Sequence, residues 1–177
     1  MFIVPGYLVA LVTFPGVIVH ELAHYLFCIL TRTAVFEVCY LRSANPCGYV
    51  IHEIPRKASH NLIIGIGPYI VNTLLALIIG IPVSIQIFQF NSVNFVDIFL
   101  FWVAISIAMH SFPSTTDANG IWKAVMQPGV NFFLKVVSVP LVGIIYLGAL
   151  GSIVMLDIVY GVGLIVYAPR ILCHWLV

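Results

Sequence analysis

From Leu62 to Phe90 the chain carries no charged side chain. A stretch that long and apolar has few options. A membrane-spanning helix needs about 20 predominantly apolar residues, because inside a bilayer every backbone polar group must bond within its own segment. Composition extends the constraint to the rest of the chain. Of 177 residues, 62% are apolar and only 7% are charged, against roughly 25% charged in soluble domains. This argues against a soluble monomer. It also argues against disorder, which needs low hydrophobicity and high charge. Seven Lys/Arg against six Asp/Glu leave a net charge of +1, too little for a nucleic-acid-binding surface. The expected fold is an all-α polytopic membrane protein, one domain over residues 1–177.

Five further segments complete the layout. The first apolar run goes from Phe2 to Leu30, with Pro5 and Pro15 expected to kink it or shift its start, and Arg32 ends it. The start lacks the basic n-region of a cleaved signal peptide. Residues 33–61 hold most of the polar character. Val35–Leu41 is strand-like, Ser43-Ala44-Asn45-Pro46 reads as a turn, and Gly48–Ile54 as a returning strand, so a β-hairpin is expected. Leu62–Phe90 has Gly65, Gly67 and Pro68 near its start. Phe95–Phe112 is stopped by Pro113, and 114–131 is polar or mixed. From Phe132 onward the chain is apolar again, enough for two spans divided near Gly151–Asp157.

About five transmembrane helices place all seven basic residues on one side: Arg32, Arg42, Arg56, Lys57, Lys123, Lys135 and Arg170. The positive-inside rule makes that side cytosolic, with the N-terminus outside and the C-terminus inside. The expected location is a cell membrane, multi-pass. Cys28, Cys39, Cys47 and Cys173 form no CxxC. Cys39 and Cys47 flank the turn and could pair under oxidising conditions, but on the cytosolic side they are expected to stay reduced.

His20-Glu21-Leu22-Ala23-His24 is an HExxH sequence. On a helix, positions i and i+4 share one face, so two imidazoles can hold one zinc ion, and the Glu between them can act as general base toward water at the metal. The two histidines could also simply pack against neighbouring helices. Ionisable groups inside a hydrocarbon-spanning run are expensive, however, and usually mark function. A catalytic zinc has three protein ligands and one open position. His110, Asp117, Asp97 and Asp157 are candidates for the third. With His20 and His24 toward the cytosolic end of the first span, Asp97 and Asp157 fall on the far face as solvated interface residues. His110 and Asp117 remain.

Three motifs in order carry a family resemblance over residues 15–120. His20–His24 inside a first membrane helix resembles the site-2 protease family of intramembrane zinc metalloproteases. Gly67-Pro68-Tyr69-Ile70-Val71-Asn72 resembles its GPxxN segment. His110-Ser111-Phe112-Pro113-Ser114-Thr115-Thr116-Asp117 resembles its NxxPxxxxxDG segment. The hairpin falls where that family has a re-entrant β-hairpin between helices 1 and 2. The resemblance implies Asp117 as the third zinc ligand. It also implies a divergent member with a minimal core, followed by additional helices over 132–177. His110 stands where the family has Asn, Asp117-Ala118 replaces Asp-Gly, and the stretch from Pro113 to Asp117 is shorter than the family's.

The expected activity is that of a metalloendopeptidase cleaving a transmembrane or membrane-proximal peptide bond of a membrane-protein substrate. One zinc ion is held by His20, His24 and Asp117, and Glu21 is the catalytic base. Asn72 either holds spans one and two together or orients substrate or oxyanion, and His110 is a candidate for contacting substrate or oxyanion or for supporting a ligand, its role left open. His52, His60 and His174 read as interfacial. Gly65, Gly67 and Pro68 are expected to let the second span approach the first closely. Water is expected to come from the cytosol along the polar run after Pro113. The alternative is a non-proteolytic metal-binding membrane scaffold or chaperone, for which Glu21 has no use. A small transporter with a midplane ion site is a weaker rival, since no internal repeat is visible.

Overall fold

The computed structural model describes residues 6–176. The start of the first apolar run at Phe2, with Pro5, lies outside the described residues, as do the side chains of Cys173 and His174. The chain is mostly helical. In order come α1 (Gly6–Val12), α2 (Phe14–Leu30), β1 (Val35–Cys39), β2 (Tyr49–His52), α3 (Ala58–Phe88), α4 (Phe95–Met109), α5 (Thr115–Val125), α6 (Phe132–Gly151), a 3-10 turn (Ser152–Val154) and α7 (Leu156–Leu176). Among the described residues two helices, α3 and α6, are each long and apolar enough to cross a membrane, and α1 with α2 makes a third if counted as one broken span.

The first apolar run is broken by 92° between α1 and α2. Pro15 sits in the first turn of α2, where a missing N–H costs nothing, and it ends the preceding ladder. The groups freed at the break are taken up by α4. Ser106 Oγ donates to the Thr13 carbonyl at 2.7 Å and accepts from the Gly16 N–H at 3.0 Å. Gly16 has to be glycine, since a β-carbon there would run into the Ser106 backbone.

The hairpin forms where the β-branched and aromatic residues placed it. Its antiparallel register pairs Cys39 with Tyr49, Val38 with Val50 and Glu37 with Ile51, with an irregularity between Val35 and Glu37. Arg42 secures the connection, donating through its backbone N–H to the Cys47 carbonyl (2.7 Å) and through Nε to the Pro46 carbonyl (2.8 Å).

The central helix is α3, which packs against α2, α4, α5 and α7. One apolar cluster joins its first half to α5 and α6 through Leu62, Ile121, Val125, Val142 and Ile145. A second joins its later half to α4 and α7 through Ala76, Ala104, Ile107 and Ile165. Large apolar side chains such as Leu30, Ile78, Phe95 and Leu147 point outward.

The structure adds to one expectation and corrects another. Residues 114–131, read as polar or mixed, contain α5. Ser114 and Asp117 form a reciprocal capping box that starts it, and its apolar face joins the first cluster. The arrangement of α6 and α7 also differs from two antiparallel spans. Thr73 bonds Tyr160, Ser84 donates to the Ile165 carbonyl, and Arg170 lies over the Phe88 ring. Partner numbers rise together, so α7 runs parallel to α3. Toward the start of α3, Phe112 packs on both Tyr69 and the backbone at Gly148, so α6 lies beside that earlier part. The chain from α6 through α7 thus follows α3 in one direction. Arg56 and Lys57 precede α3, while Arg170 stands beside its last residue. A 31-residue helix is about 46 Å long. Arg170 and the Arg56–Lys57 pair therefore stand at opposite ends of α3, not together as the seven-residue grouping expects.

Candidate metal centre

His20 and His24 lie in the middle of α2, one turn apart, with ring centroids 4.9 Å apart. Each ring is fixed through Nδ1 by a backbone carbonyl. His20 Nδ1 lies 2.7 Å from the His110 carbonyl, and His24 Nδ1 lies 3.0 Å from that of Ile64. A carbonyl only accepts, so both rings carry their proton on Nδ1. That leaves both Nε2 lone pairs free as ligand atoms.

Both carbonyls are available for helix-geometric reasons. Ile64 is four residues before Pro68, which has no N–H to give it. His110 is the C-cap of α4, where carbonyls lack an intrahelical partner. Asn72, fully buried, shares the second of these. Its amide donates to the carbonyls of His110 (3.0 Å), Gly16 (3.3 Å) and Ile107 (3.3 Å), tying α3 to both α2 and α4. Of the roles open for Asn72, the geometry provides the interhelical one, and it extends to the His20 acceptor.

Asp117 comes to the same place from α5. Its Oδ2 accepts from the Ser114 N–H (2.8 Å) and the Ser114 hydroxyl (2.6 Å), and its Oδ1 lies 3.5 Å from His24 Nε2. The ligand atoms offered by His20, His24 and Asp117 all lie within 4.8 Å of one another. Zinc bonds of about 2.0–2.2 Å in a tetrahedral site put neighbouring ligand atoms a little over 3 Å apart. The His24–Asp117 separation matches, and the triad needs only a small contraction. Charge fits as well. Glu21 and Asp117 bring two carboxylates, Asp157 adds a third at the adjoining cleft, and among the described residues no Lys or Arg lines that cleft. A divalent cation would offset this concentration of acid.

Glu21 is buried and faces a cleft of about 240 Å³ that also reaches His20, His110, Ser114, Asn45 and Tyr7. The hairpin turn roofs it. A β-carbon on Gly48 would lie 2.6 Å from Glu21 Cγ and 3.1 Å from Oε1. Cys47 is buried beside it, its thiol 3.7 Å from the Tyr7 carbonyl of α1. Cys28, Cys39 and Cys47 are all free thiols. His110 lines the cleft with its ring held by Thr13, Nε2 to Oγ1 at 2.8 Å.

The outcomes for the remaining candidates are mixed. Gly67 does provide close approach to α2, since a β-carbon there would strike the Phe27 ring, but Gly65 faces Ile121 of α5. Asp97 forms a capping box with Asn94 at the start of α4. Asp157, expected on the far face, lines the cleft with His20 and Glu21, because α7 begins at the depth of the site. Ser114, Ser106 and Thr13 were not singled out from the sequence. Ser114-x-x-Asp117 was visible as a capping box, whereas Ser106 and Thr13 matter only through the break in the first run. No family model matches the sequence, no curated protein is similar to it, and no solved structure matches its fold.

Proposed function

We propose that the chain is a zinc-dependent intramembrane endopeptidase, similar in mechanism to the site-2 protease family. The observation that carries this reading is the meeting of His20, His24 and Asp117 from two separate motifs beside Glu21. A zinc holder needs the three ligands, but it has no need of a carboxylate facing a cleft. His20, His24 and Asp117 would hold the ion. When bound, zinc would polarise the scissile carbonyl and stabilise the developing oxyanion. Glu21 takes a proton from the attacking water and hands it to the leaving amine. Asn72 and the His110 carbonyl keep the His20 ring in place, and Ser114 does the same for Asp117. A peptide bond within a helix is shielded by its own hydrogen bonds, so the substrate unwinds locally. An edge of the hairpin is available to pair with the extended segment.

The outward-facing apolar side chains and the lengths of α3 and α6 support placement in a lipid bilayer. The hairpin and the Arg32, Arg56 and Lys57 end of α3 take the cytosolic side. In this arrangement α4 with α5, and α6 with α7, each act as one interrupted crossing, in place of five separate spans. The test is metal analysis and peptide cleavage with detergent-purified protein and its Glu21→Gln variant. Zinc in both with cleavage only in the former supports the reading. Zinc without cleavage in either form leaves the metal-binding scaffold.

A further inference from the structure

At the start of α3 a second cleft, about 340 Å³ in volume, opens beneath the hairpin. It is separate from the metal centre. Arg32, Arg56, Lys57 and His60 line it together with Thr31, Thr33, Glu53 and Pro55. Three full cations against one carboxylate give 3 − 1 = +2, more than the net charge of the whole chain, +1. Among the described residues none of the three cations forms an ion pair or a side-chain hydrogen bond, and the Thr31 and Thr33 hydroxyls bond each other.

The arrangement has a conformational cost. Arg32 follows the α2 C-cap with φ 55°, a left-handed position where glycine or asparagine is the usual occupant. Keeping an arginine there keeps a guanidinium at the cleft. No side chain caps α3, and no acid stands in its first turn, so the positive end of the helix adds to the same field.

We propose that this cleft binds the phosphate of an anionic phospholipid headgroup. Phosphate suits the donors, since two guanidinium forks and an ammonium match its oxygens. A lipid is favoured over free phosphate by what borders the cleft. Leu30 and Ile54, neighbours in sequence of Thr31 and Pro55, are 73% and 79% exposed, so acyl chains find apolar surface beside the charge. The proposal rests on the membrane placement of α2 and α3 and not on the metal or on Glu21.

The experiment follows the thermal midpoint of the full chain in neutral detergent by tryptophan fluorescence. Phosphatidylglycerol, phosphatidylcholine or inorganic phosphate is added at equal concentration. A ligand that binds only the folded state raises the midpoint. Phosphatidylglycerol is expected to raise it by at least about 2 °C, with no rise from phosphatidylcholine or inorganic phosphate. Arg56→Gln with Lys57→Gln removes the rise. Lys135→Gln, a basic residue outside this cleft, keeps it, and so does Glu21→Gln, which separates the result from the fate of the protease reading. Equal rises with phosphatidylcholine, or an undiminished rise in the Arg56/Lys57 variant, overturn the site. An equal rise with inorganic phosphate overturns the lipid assignment, and no rise with phosphatidylglycerol overturns both.

Discussion

Pro68 frees the carbonyl that orients His24: Ile64, four residues earlier, receives no helical N–H and accepts from His24 Nδ1 at 3.0 Å. A helix defect on α3 thereby fixes a side chain on α2. Gly67, directly before the proline, lets α2 come close enough, since any larger residue would meet the Phe27 ring. The Gly-Pro pair therefore acts on the site through packing and through one lone pair.

Pro68→Ala tests that link. Alanine restores an N–H that competes for Ile64 and removes a helix-interior proline, a change that favours the helix by up to about 3 kcal/mol. Zinc affinity is expected to fall about 10-fold, the lower end for loss of a partner that orients a ligand, while the thermal midpoint holds or rises. Unchanged affinity by competition with a chromophoric chelator would show that His24 does not depend on the freed carbonyl.

Asp117 and His110 separate in the same assay. Asp117→Asn substitutes a much poorer ligand for the carboxylate, so zinc binding should weaken and cleavage should be lost. His110 serves His20 through its backbone carbonyl, which alanine retains. His110→Ala should therefore keep the metal and lower activity less. Zinc lost from the His110 variant and kept by the Asp117 variant would make His110 the third ligand.

The sequence made the chemistry more legible than the path of the chain. HExxH defines its own geometry on any helix, and the hairpin followed from β-branched residues around an Asn-Pro turn. Neither depends on distant contacts. The direction of α7 does. Apolar runs look alike whichever way they point, and only the Thr73–Tyr160 and Ser84–Ile165 contacts orient this one. The depth of α2 was hidden for a similar reason. Pro15 marks a kink in Phe2–Leu30, but only the bonds of Ser106 of α4 to Thr13 and Gly16 show how sharp the break is and what bridges it. The carbonyl partners of His20 and His24 carry no side-chain signature, although Pro68 and the end of α4 before Pro113 mark where free carbonyls arise.

Glu21 and Gly48 should separate base from roof. Glu21→Gln keeps volume and both histidines, so zinc stays while cleavage falls by at least about 100-fold, the low end for losing a general base. Gly48→Ala leaves every ligand in place, but its β-carbon would press on Glu21 at 2.6 Å from Cγ. The hairpin or the carboxylate must then shift. Cleavage should drop with zinc content unaltered and with less loss than in the Gln variant. Full activity in Gly48→Ala would mean that the turn does not sit on Glu21 in the working protein.

The direction of the last helix gives the sharpest test of the membrane arrangement. Arg170 lies 5.6 Å from the Phe88 ring centroid, at the end of α3, and Arg56 stands just before its start. With α3 crossing the bilayer, positions 56 and 170 face opposite compartments, and 170 shares its side with Asn91, which follows α3. Cysteines placed singly at 56, 91 and 170 in a cysteine-free background report this through a membrane-impermeant thiol reagent on intact cells. All three positions are exposed. Positions 91 and 170 should react in intact cells, and position 56 only after permeabilisation, because the cluster of Arg32, Arg56 and Lys57 favours the cytosolic face. If 56 reacted and the other two did not, the protein would be inserted the other way up with its internal packing intact. If 170 reacted together with 56 and apart from 91, α7 would return across the membrane. The Ser84–Ile165 and Phe88–Arg170 contacts could not then exist in the bilayer, and five separate spans would be the better description.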